Sequence, residues 1–394
     1  MIHLEKSDCC GCHACAQICP KRCITMRPDE EGFLYPQVDE TVCIHCDACE
    51  KVCPVLHKQH SKEKKTLEPE AYAGINVNEK IRQQSSSGGI FTLLAEQTLH
   101  MGGVVFGAAM AEDQHSVHHI AVESAEQLGS LRGSKYLQSE IGETYLQVRE
   151  QLQKCRKVLF SGTPCQVEGL HAFLHREDPN LLCVDIICHG VPSPLVWDRY
   201  LTEQEARAGA SAKQAFFRNK QHGWKTYTLL LDFNNNTTYA KAFAKDSFMK
   251  AFLQNICLRP SCYACHFKKL SRVSDITLAD YWGIQDQYPE MDDDKGTSLV
   301  IVHSEKGKRC IELLGDKVRL KKVPVEQALR GNPSMLHSAE MHKQRKQFFS
   351  QLGKKPFDCV VDTCCRGKIT VKRIIRAVLR RMGLRAVIQM AKYK

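Results

Sequence analysis

The spacing of apolar and polar residues divides the 394-residue chain into three stretches. Residues 1–60 show no sustained period. Short apolar pieces alternate with cysteines, and CITMRPDEEGFLYPQVDETVC (23–43) reads as two short strands around the turn-rich RPDEEG. The charged, aperiodic HKQHSKEKKTLEP (57–69) reads as a flexible linker that sets this first unit apart from the rest. From about residue 70 strands and helices alternate. EAYAGINV predicts a strand, SSSGGIFTLLAEQTL a loop opening a helix, and GGVVFGAAM a second strand. A long helix is expected over about 139–154, then strand KVLFSG, helix PCQVEGLHAFLH and strand LLCVDIIC. This order predicts a mixed α/β sheet with some parallel pairing. Residues 212–243 read as antiparallel hairpins, and 298–355 return to mixed strand and helix. In the last stretch, Val371, Ile374, Ile375, Val378, Leu379 and Met382 follow helical spacing.

The expected organisation is therefore an α+β unit over 1–60, a mixed α/β domain over 70–355 and a basic amphipathic tail helix over 366–394. No apolar run approaches the roughly 18 residues of a membrane span. The charged opening MIHLEKSD lacks the apolar core of a secretory signal. Both observations predict a cytoplasmic protein. In a reducing compartment, 21 cysteines at regular spacings mean metal or redox chemistry rather than a disulfide scaffold.

The formal net charge of +11 invites a nucleic-acid reading, but its distribution opposes one. Residues 366–394 carry ten of the 55 Lys and Arg and no acidic residue, leaving 45 basic against 44 acidic residues in the body. A basic amphipathic helix suits the anionic inner face of a membrane, as a peripheral contact. Docking of its apolar face on the body or on a partner explains the pattern equally well.

CCGCHACAQICP is repeated 34 residues later as CIHCDACEKVCP. Each half is C-x-x-C-x-x-C-x-x-x-C-P. Three closely spaced thiolates reach three irons of a cubane, and the fourth cysteine ligates the other cluster. Cys9, Cys12, Cys15 and Cys53 are thus expected to hold one [4Fe-4S] cluster, and Cys19, Cys43, Cys46 and Cys49 the second. Cys10 and Cys23 fall outside the frame and read as packing residues.

A further C-x-x-C, Cys262 and Cys265, stands about two hundred residues away. Cys165 opens a helix after one strand, and Cys188 ends the next. A right-handed β-α-β unit would place both beyond the carboxyl ends of neighbouring parallel strands, where open α/β sheets bind ligands. Cys262 and Cys265 can complete a four-thiolate site there. A structural zinc, or no metal at all, is the alternative. Cys183, inside the strand, reads as core. SSSGGIF (85–91) offers free backbone N–H groups at a helix start, fit for a phosphate or for a plain N-cap.

The stretches SSSGGIFTLLAEQTL, GSKYLQS, VLFSGTPCQVEGL, CHGVPSPLVWDRYL, FRNKQHGW, LRPSCYACHFKKLSRVSDITLADYWGI and GTSLVIV occur in this order over about 70–305. In these motifs the chain resembles the beta-subunit family of coenzyme F420 hydrogenases and dehydrogenases, in the form that carries an N-terminal ferredoxin domain. The resemblance implies an FAD-binding α/β domain with its own [4Fe-4S] cluster. It makes Cys165, Cys188, Cys262 and Cys265 the ligands of that third cluster. It also makes Ser87, Gly88, Gly89, Lys135 and Tyr136 flavin contacts, with Lys135 placed to stabilise negative charge on a reduced ring. Cys257 is an extra thiol just before the third-cluster pair.

The function so implied is an iron–sulfur flavoprotein oxidoreductase. It passes electrons between [4Fe-4S] clusters and FAD, to or from a redox partner or a small-molecule hydride acceptor such as a deazaflavin-type coenzyme. The competing readings are a non-catalytic electron-relay subunit and a zinc-containing nucleic-acid binder, the latter opposed by the neutral body. Homo-oligomerisation stays open. Because the fourth ligand crosses over, Cys19→Ser is expected to degrade the cluster held by Cys43, Cys46 and Cys49 while sparing its neighbour. Iron content and the EPR spectrum of the reduced protein check this.

Overall fold

The computed structural model describes residues 2–57 and 68–365. The tail over 366–394 and most of the expected linker lie outside the described residues. The N-terminal unit is a two-stranded antiparallel ribbon, β1 (Ile24–Pro28) and β2 (Leu34–Val38), flanked by the short helices Ala14–Ile18 and Ala48–Lys51. Asp29 turns the ribbon: its carboxylate accepts from the amides of Glu31 and Phe33, both at 3.0 Å.

The main domain is built on eight strands. They are β3 (Glu70–Asn76), β4 (Val104–Met110), β5 (Val117–Val122), β6 (Val158–Gly162), β7 (Leu181–Ile186), and, after an interruption, three more. The interruption is a separate antiparallel sheet of β8 (Ala212–Asn219), β9 (Thr228–Phe233) and β10 (Thr238–Ala242). The large sheet then takes β11 (Ile276–Asp280), β12 (Ser298–Val302) and β13 (Val318–Val323), in the order β13-β3-β12-β11-β7-β6-β4-β5. Its centre, β11-β7-β6-β4, is parallel and its flanks are antiparallel. β7 and β12 are buried almost throughout, as LLCVDI and SLVIV require of strands covered on both faces. Helices Ile90–His100, Thr144–Gln153 and Pro164–Leu174 pack against the sheet.

Three expectations are revised. The helix expected from 139 begins at Thr144, because Glu140 bridges His118 as extended chain and Gly142 adopts φ +52°. The main domain runs on beyond residue 355. Helix Phe357–Cys365 buries Phe357, Val360, Val361 and Cys364 in the same core as Trp197, Tyr200 and Phe248. The N-terminal unit is also not held apart by its linker. Ala14, Val52 and Val55 share one apolar core with Phe106, Tyr145, Phe160 and Phe173 of the main domain. The Gln17 side-chain carbonyl accepts from the amides of Tyr145 and Leu146, at 2.9 and 3.2 Å. A bidentate pair of Arg345 with Glu31, at 2.7 and 2.5 Å, ties the ribbon to the far end of the chain.

Gly169 lets the two units close. A Cβ there would stand 2.9 Å from both the Cβ of Cys12 and the hydroxyl of Tyr145. Gly169→Val is therefore expected to destabilise the full chain by about 1–3 kcal/mol through overpacking. Chemical denaturation checks the value, and a parallel loss of iron would reflect displacement of Cys12.

Candidate metal centres and cofactor cavity

No two of the 21 cysteines are joined in a disulfide. The N-terminal eight separate into two groups around two cavities. Cys9, Cys12, Cys15 and Cys53 line one, and Cys19, Cys43, Cys46 and Cys49 line the other. The fourth cysteine of each motif thus crosses to its neighbour's cavity. Short helices present the middle thiols. His13 and Asp47, each just before a helix, adopt left-handed φ of 64° and 57°, which folds the preceding cysteines back around the cavity. The first set is buried. The second reaches the surface at Cys46, beside the exposed Val42 and Ile44.

Cys165, Cys188, Cys262 and Cys265 line a third cavity. Cys165 sits in the first turn of helix Pro164–Leu174, whose N-cap Thr163 forms a capping box with Gln166. Cys188 follows β7, and Cys262 and Cys265 come from a single 3₁₀ turn and its end. Gly190 adopts φ +151°, and a Cβ there would lie 3.3 Å from the Cβ of Cys262. Burial raises three of the thiols, Cys188 to about 12 and Cys262 and Cys265 above their usual range. A hydrogen bond from Cys10 is the main cause holding Cys165 down to about 7. Lys268 donates to the Cys188 carbonyl, and Arg259, Lys268 and Arg272 all line the cavity. Among the described residues no group of three or more His, Cys, Asp and Glu is arranged for a single metal ion. A cubane takes its thiolates at separate corners, so an all-sulfur shell around a cavity is the relevant geometry.

The two cysteines outside the motif frame are not simple packing residues. Cys10 lines both the first and third cavities and hydrogen-bonds with Cys12 and Cys165. Cys23 lines the second cavity, its sulfur 3.4 Å from that of Cys19. Their spacing carries no ligand signature, so only the fold reveals their position. Cys183 is fully buried core, and Cys257 is buried in a core against which Cys262 packs but does not itself line the third cavity.

A cavity of about 680 Å³ opens at the carboxyl ends of the parallel strands, within the roughly 300–1,000 Å³ usual for cofactor sites. Ser87, Gly89, Lys135 and Tyr136 line it. Gly88 points away: a Cβ there would meet the Gly74 carbonyl at 2.2 Å, and its amide donates to Ser298 Oγ at 2.9 Å. Its place in the Ser-Gly turn is therefore set by the sheet. Gly89, at φ +82°, caps helix Ile90–His100 without a side chain, leaving that helix start open. Lys220 fixes the turn from below, donating to the carbonyls of Arg82, Ser87 and Lys295 at 2.6, 3.1 and 2.7 Å. Lys135 donates to the carbonyls of Ser130 and Arg132, both at 2.9 Å, and loss of water around it pushes its ammonium down to about 7.

Several lining residues were not singled out from sequence. Arg218 pairs with Asp280 at 2.6 and 3.1 Å and lies over the rings of Tyr227 and Trp282, while its buried Nε has no partner. His119 is buried between Ser139 and the Ser161 carbonyl, and burial takes it to about 4, so it stays neutral. His189 lies in the wall between the third thiol cavity and the large one, as do Cys188, Gly190 and Val191. Arg218, Asp280, Trp282 and His189 lie in or beside FRNKQHGW, LADYWGI and CHGVPSP, the only sequence signal that could have pointed to them.

Residues 8–56 match the family "4Fe-4S dicluster domain". Residues 71–144 match the N-terminal part, and residues 155–328 the C-terminal part, of the family "Coenzyme F420 hydrogenase/dehydrogenase, beta subunit". No curated protein matches. Among solved structures, a chain of the F420-reducing [NiFe] hydrogenase complex from Methanosarcina barkeri, studied by xenon derivatization, is similar at 17% identity. The alignment covers 74% of this chain and 90% of that one, with a TM-score of 0.46. Among the described residues no helix is long and apolar enough to cross a membrane. With both halves of the beta-subunit signature following a dicluster motif, the chain belongs to the coenzyme F420 hydrogenase/dehydrogenase beta-subunit family and is an iron–sulfur electron-transfer oxidoreductase.

Proposed function

We propose that the chain carries electrons from the N-terminal dicluster unit through a third [4Fe-4S] site at Cys165, Cys188, Cys262 and Cys265 to an FAD in the large cavity. The observation that carries this reading is a continuity of walls. Cys10 lies between the first and third thiol sets, and Cys188 to Val191 separate the third set from the large cavity. A bound FAD there would supply hydride chemistry, joining single-electron and two-electron transfer. The residues present suit such a guest. The open helix start at Gly89 and the Ser85–Ser87 turn offer N–H groups to a phosphate. Arg132, Arg218 and Lys225 give the cavity positive charge, and Tyr136, Tyr227 and Trp282 give it flat apolar faces. Lys135, whose ammonium is lowered to about 7 at the cavity wall, would be held in its charged form beside an anionic ring.

A redox partner or a small-molecule hydride acceptor completes the reaction, and a deazaflavin-type coenzyme is the acceptor class we favour. The surface position of Cys46 supports entry or exit of electrons at the second thiol set. A relay role serving a partner enzyme is the second reading, favoured by the family's description as a beta subunit.

The anaerobically reconstituted full chain is expected to hold about twelve irons, from three four-iron clusters, and about one flavin. Cys262→Ser should remove about four irons and slow flavin reduction while sparing the dicluster signals, whereas Cys183→Ser should spare all the iron. Eight irons without flavin would overturn the reading. Full cofactor content without turnover of an artificial acceptor would select the relay role.

A further inference from the structure

Arg259 has no role in any ligand set, yet it is fully buried where the two units meet. Its Nε donates to the Cys9 carbonyl at 2.8 Å, Nη1 to the side-chain oxygen of Gln138 at 2.7 Å, and Nη2 to the Leu34 carbonyl at 2.9 Å. Nη2 also points at the Cys9 sulfur, 3.7 Å away. The guanidinium lies over the rings of Tyr35 and Phe33, at 4.4 and 5.5 Å. Among the described residues none of its hydrogen-bond partners is a carboxylate. A guanidinium stays charged in any protein. Burying a charge without a counter-charge is costly, so an anion is expected beside it.

Of these hydrogen-bond partners only Cys9, in the first thiol set, can become anionic. A cluster bound by four thiolates carries net negative charge, and it gains one more on reduction. We propose that Arg259 is the buried counter-ion of the cluster at Cys9, Cys12, Cys15 and Cys53, and that it raises that cluster's midpoint potential by stabilising the reduced form. Gly11 makes the approach possible: at φ +66° it brings the backbone so close that a Cβ would stand 2.8 Å from Nη1. The inference rests on the dicluster unit alone and stands whether or not the third cluster and the flavin are present. The iron and flavin count reports on those separately.

The test is an EPR-monitored redox titration of the reconstituted full chain. Arg259→Met should shift one dicluster signal to a more negative potential, and Arg259→Lys should restore most of that shift. Because Arg259→Met removes the hydrogen bonds as well as the charge, Gln138→Glu gives a second reading. It places a carboxylate against Nη1 and keeps the hydrogen bonds of Arg259, losing only the Gln138 Nε2 donation to the Cys10 carbonyl at 3.0 Å, and should shift the same signal in the same direction with the iron content retained. A purely structural arginine predicts lost iron or lost stability with no shift in the potential of the iron that remains. An unshifted signal in Gln138→Glu, or in an Arg259→Met protein with full dicluster iron, would overturn the proposal.

Discussion

The layout of the molecule depends on one guanidinium. Arg259 begins the turn that presents Cys262 and Cys265, and its donors reach back to Cys9 and Leu34 of the N-terminal unit. The first and third thiol sets therefore hang on opposite sides of the same side chain. Taking a charge out of water costs several kcal/mol even after relaxation. Four hydrogen-bond acceptors and two aromatic faces offset part of that here. The geometry is demanding, because a planar fork satisfies these acceptors only at one orientation of the two units. The shared apolar core supplies adhesion without direction. Arg259, with the Arg345–Glu31 pair, supplies the direction.

What was legible in the sequence depends on how local each constraint is. The eight N-terminal cysteines were readable because cubane ligation fixes their spacing within a dozen residues, and the crossover of Cys19 and Cys53 comes with the motif. The convergence of Cys165 and Cys188 was also readable, since a β-α-β unit brings consecutive strand ends together. Arg259 was not, because its partners come from residues 9, 34 and 138 and no spacing relates them. Cys10 misled for the same reason. It differs from a packing cysteine only in facing helix Pro164–Leu174, which the chain reaches some 150 residues later. Gly88 misled in the opposite sense. A Ser-Gly turn before a helix looks like a phosphate cradle at every position, but the pleat of β3 claims Gly88 and leaves Ser87 and Gly89 to the cavity. The end of the main domain was hidden because FDCVVDTCC is too short to show a helical period on its own.

The arrangement also explains why a parallel sheet carries this chemistry. Strands that run together bring all their carboxyl ends to one edge, and the loops leaving that edge must turn sharply into helices. Helix Pro164–Leu174 shows the consequence. Cys165 in its first turn faces the third thiol cavity, while Gly169, one turn further along the same face, touches Cys12 of the first set. Gln166, rotated to the neighbouring face, lines the large cavity and donates to the Ser139 carbonyl at 3.2 Å. Positions i and i+4 share a helical face and i+1 does not. A single helical turn is thereby enough to hold two thiol sets and one edge of the large cavity in fixed relation. A one-electron carrier needs its neighbours close and rigid, and here the rigidity comes from helix geometry rather than from the ligands. For that reason Gly169 tolerates no side chain. A larger residue would push the first thiol set away from the helix that positions the third.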